Sequence, residues 1–369
     1  MLMGKAKYTS IGGQALIEGV MMRGPDKIGL AVRQPDNKIY KEYITQTPLG
    51  DKYKFLKLPF FRGVAGFISS MKIGYKTLMI SAEKAGLDLD DAEPETKFEK
   101  WLMKTFGDKL MGVVSGIGMV LGVILAMGLF FFLPVLLRNG AIYLVEKLSG
   151  NTMLETSRSL FTSIFEGIIK IVIFVAYLFL VSKMKEMRRV FEYHGAEHKT
   201  IFCYESKLPL TVENVRSKKR FHPRCGTSFM VLMMIIGIIV SFIIARFTKA
   251  NSNTYLWTAV KILMVPLLMA LGYEVLKIAG KYDNAFTRFI SAPGMWVQRL
   301  TTKEPDDSQI EIAIASLVMV LSDEDKLAFG ITEEITADSE ELEVLSGENI
   351  DVYENEASEE QENDQQASD

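Results

Sequence analysis

MGVVSGIGMVLGVILAMGLFFFLPVLL, residues 111–137, runs for 27 residues without a charge, and GTSFMVLMMIIGIIVSFIIA, residues 226–245, runs for another 20. A helix crossing the hydrocarbon of a bilayer needs about 20 apolar residues, so both stretches predict transmembrane helices. Ser159 to Ser182 and Leu256 to Lys277 are weaker spans, the first containing Glu166 and Lys170, the second Lys261 and Glu274. Glu166 and Lys170 stand four apart and can pair on one helical face; charges near a span end can also snorkel to the interface. Pro134 and Pro266 are expected to kink their helices, and Gly112/Gly116 and Gly118/Gly122 are small-xxx-small pairs suited to helix packing. The fold class predicted is a multi-pass α-helical membrane protein of about four transmembrane helices with an α+β cytoplasmic region.

Composition fits that reading. Of 369 residues, 49% are hydrophobic although 24% are charged. The two classes are segregated. The segment from Glu333 to Asp369 holds 15 of the 45 acidic residues and no Lys or Arg, which leaves residues 1–332 with 42 basic against 30 acidic side chains. Two cysteines in so long a chain exclude a disulfide scaffold and suggest a reducing compartment. The start, MLMGKAKYTSIGG, has no apolar core and predicts no cleavable signal peptide.

Four spans leave five flanking segments. Lys and Arg number 18 in residues 1–110, three in 138–158, 11 in 183–225 and two in 246–255. The alternation predicts an inner-membrane protein with both termini and the middle loop in the cytoplasm.

Outside the spans, Ala15–Met22, Ile28–Gln34 and Lys38–Thr45 read as strands, the last two joined by a turn at Pro35-Asp36-Asn37. From Val64 to Ala82 apolar residues recur at helical spacing, predicting an amphipathic helix that packs on the strands or lies in the membrane face. Asp88–Glu95 reads as a linker. Ser308 and Glu311 fit a capping box for a helix through about Leu321. The predicted plan is a cytoplasmic α+β region with that amphipathic helix (1–100), two spans (101–182), a loop (183–225) and two more spans (226–280). A cytoplasmic helical region (281–332) and a disordered acidic tail (333–369) complete it.

All three histidines and both cysteines fall in the loop between His194 and Cys225. Its first half, YHGAEHK, is an H-x-x-E-H pattern: on a helix His194 and His198 share one face, with Glu197 beside them. This is the inverted order of the zincin helix, whose glutamate is the general base. The second half, FHPRCG, resembles the knuckle of structural zinc sites. His194, His198, His222 and Cys225 would supply four metal ligands, with Cys203 and Glu205 in reserve. Three readings stand open: a polar loop without metal, a closed structural site, and an open site whose water Glu197 activates. Geometry objects to joining the halves. If the second span continued as a straight helix, His198 would lie about 24 Å above the membrane, while Cys225 directly precedes the third span. A bent helix, with the seam Met184, Met187, Phe191, His194 and His198 turned inward, would resolve the conflict, as would a loop folding up to meet it.

SIGGQALIEGVMMRGP, YHGAEHKTIFCYE, RFHPRCGTSF and TTKEPDDSQIEIAIASL together resemble the YqhQ-like bacterial membrane family, over about residues 8–325. The resemblance implies a multi-pass membrane protein of unknown function, described as a predicted metal-dependent enzyme, with its site at His194, Glu197 and His198.

Glu18 and Arg23 could complete that site or form an ion pair at a strand edge; Glu274 is a further candidate ligand. Arg216, Lys218, Lys219, Arg220 and Arg224 form a basic run suited to anionic lipids, or to a protein or ribosomal RNA partner. No Walker, Rossmann or serine-nucleophile motif is present. The function expected is a zinc-type membrane hydrolase with Glu197 as catalytic base. The alternative is a membrane adaptor with a structural metal and a basic partner-binding surface.

Overall fold

The computed structural model describes residues 11–45, 53–87, 110–152, 155–223, 225–248, 253–281 and 285–329. The Asp88–Glu95 linker, Arg224 and the acidic tail lie outside them. Four strands, β1 (Gly12–Leu16), β2 (Gly19–Arg23), β3 (Ile28–Arg33) and β4 (Ile39–Tyr43), form an antiparallel meander in sequence order. Both faces of this sheet are covered. Val20, Met22 and Ala31 face one core, and Leu16, Met21, Leu30 and Val32 face another. That explains why β2 and β3 read as unbroken apolar runs rather than alternating ones.

The expected strand Ala15–Met22 is in fact a hairpin, folded at Ile17-Glu18 so that Leu16 faces Gly19. The pair contains no Gly, Asn or Pro to announce a turn. Glu18 adopts φ 49° instead, in the left-handed region that disfavours a residue with a Cβ. Tertiary contacts hold it there: its carbonyl accepts the Arg33 N–H at 2.7 Å, and its carboxylate takes both guanidinium arms of Arg189 and, at 3.1 Å, the Tyr193 hydroxyl. The expected turn at 35–37 is present, with Asn37 at φ 69°.

The amphipathic helix α1 (Pro59–Lys84) begins earlier than its periodicity suggested. Its second half covers the sheet through Ile73 and Ile80. Helix α2 (Leu110–Met127) passes through a π turn at Gly128–Phe132 into α3 (Leu133–Ser149). Then come α4 (Glu155–Val181), α5 (Lys185–Glu205), the short α6 (Val212–Arg216), α7 (Gly226–Phe247), α8 (Thr254–Lys281), α9 (Ala285–Thr301), α10 (Asp307–Val320) and α11 (Asp323–Ala328). The cap of α10 differs from expectation: Asp306 and Gln309 form its capping box, not Ser308 and Glu311. Helices α5 and α10 together cover the sheet face opposite α1. The sheet, the middle-loop helix and the 307–320 helix therefore share one core despite their separation in sequence.

Four helical stretches are long and apolar enough to cross a membrane: Val120–Ser149, Leu160–Val181, Gly226–Phe247 and Tyr255–Val275. The first extends past Leu137, where the apolar run stops, because Arg138 is accommodated inside the bundle. Arg138, Glu166 and Lys261 come from three different helices and are all under 5% exposed. Lys261 pairs directly with Glu166, Arg138 lies 3.5 Å from it, and the Trp257 indole donates to it at 3.1 Å. The expected Glu166–Lys170 pair is thus replaced by an inter-helix one, and the Lys170 ammonium sits 5.5 Å from the Phe131 ring centroid. Nor do Glu166 and Lys261 snorkel. Helix α7 is the packing hub, where Gly167 of α4, Gly272 of α8 and Gly294 of α9 each come too close for a Cβ. Gly118 and Gly122 pack on nothing described.

Removing one member of a buried ion cluster strands its partners. Glu166→Gln leaves two cations facing each other and should cost about 3–5 kcal/mol. Lys261→Met should cost less, because Arg138 remains beside Glu166. Thermal unfolding of the detergent-solubilised variants measures the order, and equal losses would contradict it.

Candidate functional site

The site is built on the turn at Ser182–Met184, which ends α4 and starts α5 in a new direction. This bend, not a rising loop, removes the 24 Å conflict expected of a straight helix. It lays α5 between the sheet and the start of α7, whose N-cap residue is Cys225. His194 and His198, one turn apart on α5, have ring centroids 4.4 Å apart. His194 Nε2 lies 3.1 Å from Cys225 Sγ, and His198 also hydrogen-bonds that sulfur. One donor atom from each of His194, His198 and Cys225 falls within 4.8 Å of the others.

Both imidazoles are fixed from behind. His194 Nδ1 is 2.8 Å from the Thr301 carbonyl and His198 Nδ1 is 2.5 Å from the Arg220 carbonyl. A carbonyl only accepts, so each Nδ1 carries the hydrogen, and each neutral ring presents a bare Nε2 lone pair. Two lone pairs and one sulfur thus converge, an electron-rich cradle suited to a cation. Tetrahedral zinc with N and S ligands needs donors about 3.4–3.6 Å apart. The His194 Nε2–Cys225 Sγ distance of 3.1 Å is near that spacing, and the His198 donor lies within 4.8 Å of both.

Glu197 points into β1. Its carboxylate accepts the Gly13 N–H, its Cγ occupies the space a Cβ at Gly13 would need, and its Oε2 lies 3.8 Å from His194 Nε2. Burial pushes its pKa up, against the opposing pull of His194 and the Gly13 hydrogen bond. Burial pushes the His198 pKa down, with His194 acting in the same direction and Cys225 and the Arg220 carbonyl opposing.

The fourth expected ligand, His222, is adjacent but oriented elsewhere. Its ring lies 5.5 Å from that of His198 and 4.7 Å from Phe202, and its Nε2 is 3.8 Å from Glu205 Oε2. Gln298 fixes its backbone at both ends, accepting its N–H at 2.8 Å and donating to its carbonyl at 2.7 Å. Cys203 is part of the core, near the Leu208 and Pro209 carbonyls, and burial raises its pKa. Glu18 is occupied by Arg189 and Tyr193, so it neither joins the site nor pairs with Arg23, which ends β2 exposed. Glu274 is held by Arg62 of α1 through two hydrogen bonds of 2.7 and 2.5 Å. Two members of the basic run are paired internally, Arg216 with Asp307 and Arg220 with Glu304.

Residues 302–305 strap the site. Lys303 N–H donates to the Phe191 carbonyl at 2.8 Å, and Lys199 pairs with Glu304 at 2.6 Å. Burial works against the Glu304 carboxylate, but the hydrogen bond and charge of Lys199, joined by Arg220, hold its pKa below the ordinary value. The Lys303 carbonyl stands where a Cβ of Gly195 would be. Thr301, Gln298, Gly13 and the Arg220 carbonyl were not foreseen as site residues, since three of them act through backbone atoms. A separate cavity of about 670 Å³ opens near Glu205, walled by Asp26, Tyr204, Asp325 and Phe329; it does not reach Cys225.

With fold and site in place, the comparisons set the class: residues 58–323 match the family model described as protein of unknown function DUF1385, and the chain belongs to that family. It is 35% identical over 310 residues to the uncharacterized protein YqhQ of Bacillus subtilis strain 168, spanning 83% of this chain and 90% of that protein. No solved structure matches.

A methyl group at residue 195 would collide with the strap. Gly195→Ala should therefore separate the strap from α5, loosen the Thr301 clamp on His194 and destabilise the fold by about 1–3 kcal/mol. Faster amide exchange at Lys303 is the specific signature; unchanged protection there would refute it.

Proposed function

We propose that the chain is an integral membrane enzyme of the metal-dependent hydrolase class, working at the cytoplasmic face. A zinc-type ion would be held by His194 Nε2, His198 Nε2 and Cys225 Sγ. The observation that carries the reading is the pair of Nδ1 clamps, on Thr301 and Arg220, which aim two Nε2 lone pairs at one thiol. Metal-ligating histidines are oriented in this way by carbonyls behind the ring. Imidazole and thiolate together favour zinc. Such an ion supplies Lewis acidity when bound.

Glu197 is the base. Its raised pKa brings it closer to neutrality, where a group both accepts and returns a proton efficiently. Gly13 holds the carboxylate still, and Oε2 at 3.8 Å from His194 Nε2 reaches the region in front of the ligands. His194, the most open of the group with 14% of its side chain exposed, marks the side from which a substrate arrives.

The orientation rests on the basic residues. Arg138 lies inside the bundle and Lys147 in the last turn of the first apolar stretch, which leaves Arg158 as the basic residue of 150–159 and widens the contrast with the 11 in 183–225. A reporter in the 248–253 loop should report the outside, and one following Phe329 the cytoplasm; the reverse pattern would overturn the orientation.

A second reading is favoured by burial. With His198, Cys225 and Glu197 all enclosed, the ion could serve to tie α5 to the start of α7, leaving the protein an adaptor. Two measurements separate the readings. Purified protein should carry about one zinc per chain. The ion should be lost in His194→Ala, His198→Ala and Cys225→Ser but retained in His222→Gln, whose ring faces Glu205. Glu197→Gln should keep the metal and lose function roughly 10²–10⁴-fold, read by complementation of cells lacking the chromosomal copy. Full complementation at matched protein level, with metal retained, would leave only the structural role.

A further inference from the structure

Helix α1 has a face that nothing described covers. Phe61, Phe67, Ile68, Met71, Tyr75, Leu78 and Met79 are all exposed, Met71 at 60%. At 100° per residue they fall within an arc of about 120° on one side of the helix. Lys72 and Lys76, both exposed, border one edge of that arc, and Ser69, Ile73 and Thr77 lie buried opposite it. Just upstream, Tyr53, Phe55 and Leu58 continue the apolar surface, with the Phe55 and Phe61 rings in edge contact at 5.7 Å. A patch of this size on a soluble surface marks an interaction site.

The start of α1 fixes its level in the molecule. A Cβ at Gly63 would meet Ala270, Tyr273 and the Met269 carbonyl at 3.0–3.1 Å, so the two backbones touch. Arg62 clamps Glu274 and lies 5.8 Å from the Tyr273 ring centroid. Ala270 is five residues inside the apolar stretch Tyr255–Val275, or about 7.5 Å from its end. The first turns of α1 therefore stand beside a spanning segment, below the level at which that segment ends. Eleven residues later, about 16 Å along the helix, Gly74 packs on Gln14 of β1.

We infer that α1 is a lipid-embedded helix: its apolar arc lies in the acyl chains of the cytoplasmic leaflet, and Lys72 and Lys76 reach the phosphate layer. This rests on the membrane reading of the four apolar helices. The occupant follows from proximity, because α1 abuts α8 at Gly63, and Leu263 and Leu271 of α8 are also exposed. The bordering lysines are the arrangement of an interfacial helix, with long stems along apolar surface and heads in the anionic layer. The sheet and the Gly13–Glu197 contact are thereby held against the membrane surface.

The test uses the full chain in a phosphatidylethanolamine–phosphatidylglycerol bilayer, with benzoylphenylalanine placed singly at Phe67 or Met71. Leu121, 59% exposed in the first span, is the lipid-facing control, and Lys38, in the β3–β4 turn, is the water-facing one. Light should give phospholipid adducts at Phe67 and Met71 in yield comparable with Leu121, and none at Lys38. Adducts at Leu121 with none at Phe67 or Met71 would overturn the inference and leave the membrane reading intact. Crosslinks from Met71 to a second copy of the chain in place of lipid would overturn it in favour of a dimer. Absence of lipid adducts at all four positions would overturn the membrane reading and the inference together.

Discussion

From Gly195 to Ile201 every residue of α5 is buried, and that enclosure is the constraint on which the rest of the structure depends. A helix buried all round cannot leave a polar group to water, so each must find a protein partner. Glu197 takes the Gly13 N–H; Lys199 reaches the Arg216 carbonyl and Glu304; Thr200 returns to the Ala196 carbonyl. His194 and His198 spend their Nδ1 hydrogens on Thr301 and Arg220. Those partners come from β1, the 216–220 segment, the end of α9 at Thr301 and the strap that follows it. Satisfying about two turns of helix therefore assembles the N-terminal sheet, the middle loop and the chain after α9 into one body.

Much of the fold was legible because its cause is local. An apolar run of 20 residues can be read without knowing its neighbours, and so can a turn at Pro35-Asp36-Asn37. What escaped was set by distant contacts. Ile17-Glu18 carries no turn chemistry; its left-handed φ is held by Arg33 and Arg189. Glu166 looked like a partner for Lys170 because both lie on one helix, whereas the inter-helix distance to Lys261 is fixed by packing on α7. Asp306 outcompeted Ser308 as a cap by two residues, within the uncertainty of any boundary read from pattern.

The site divides in the same way. Residue type and clustering marked His194, Glu197, His198 and Cys225, and the structure brings these together. The meeting of the two halves depends on a bend at Ser182–Met184 that no Gly or Pro announces. The exclusion of His222 from the inner group depends on Gln298, far along the chain, which holds its backbone by both polar groups. Backbone donors and acceptors such as Gly13, Thr301 and Arg220 leave no trace in side-chain chemistry. Only the glycines hinted at them, since Gly13 and Gly195 lie where another part of the chain approaches too closely for a methyl group.

The sharing of one core between β2, β3 and α10 has a consequence for how the protein is made. A ribosome releases the sheet first, yet Ile310, Ala313 and Leu317, which complete one of its cores, emerge only after the last apolar helix. Until then Val20, Met22 and Ala31 lack those partners, and an uncovered apolar sheet face on a nascent chain is prone to association. The Thr301 carbonyl that orients His194 arrives equally late. Synthesis order thus acts as a timer: the cradle of histidines and cysteine takes its final geometry only when nearly the whole chain exists, and a fragment ending before Thr301 carries every candidate ligand, with the Arg220 clamp on His198 but without the one that aims His194.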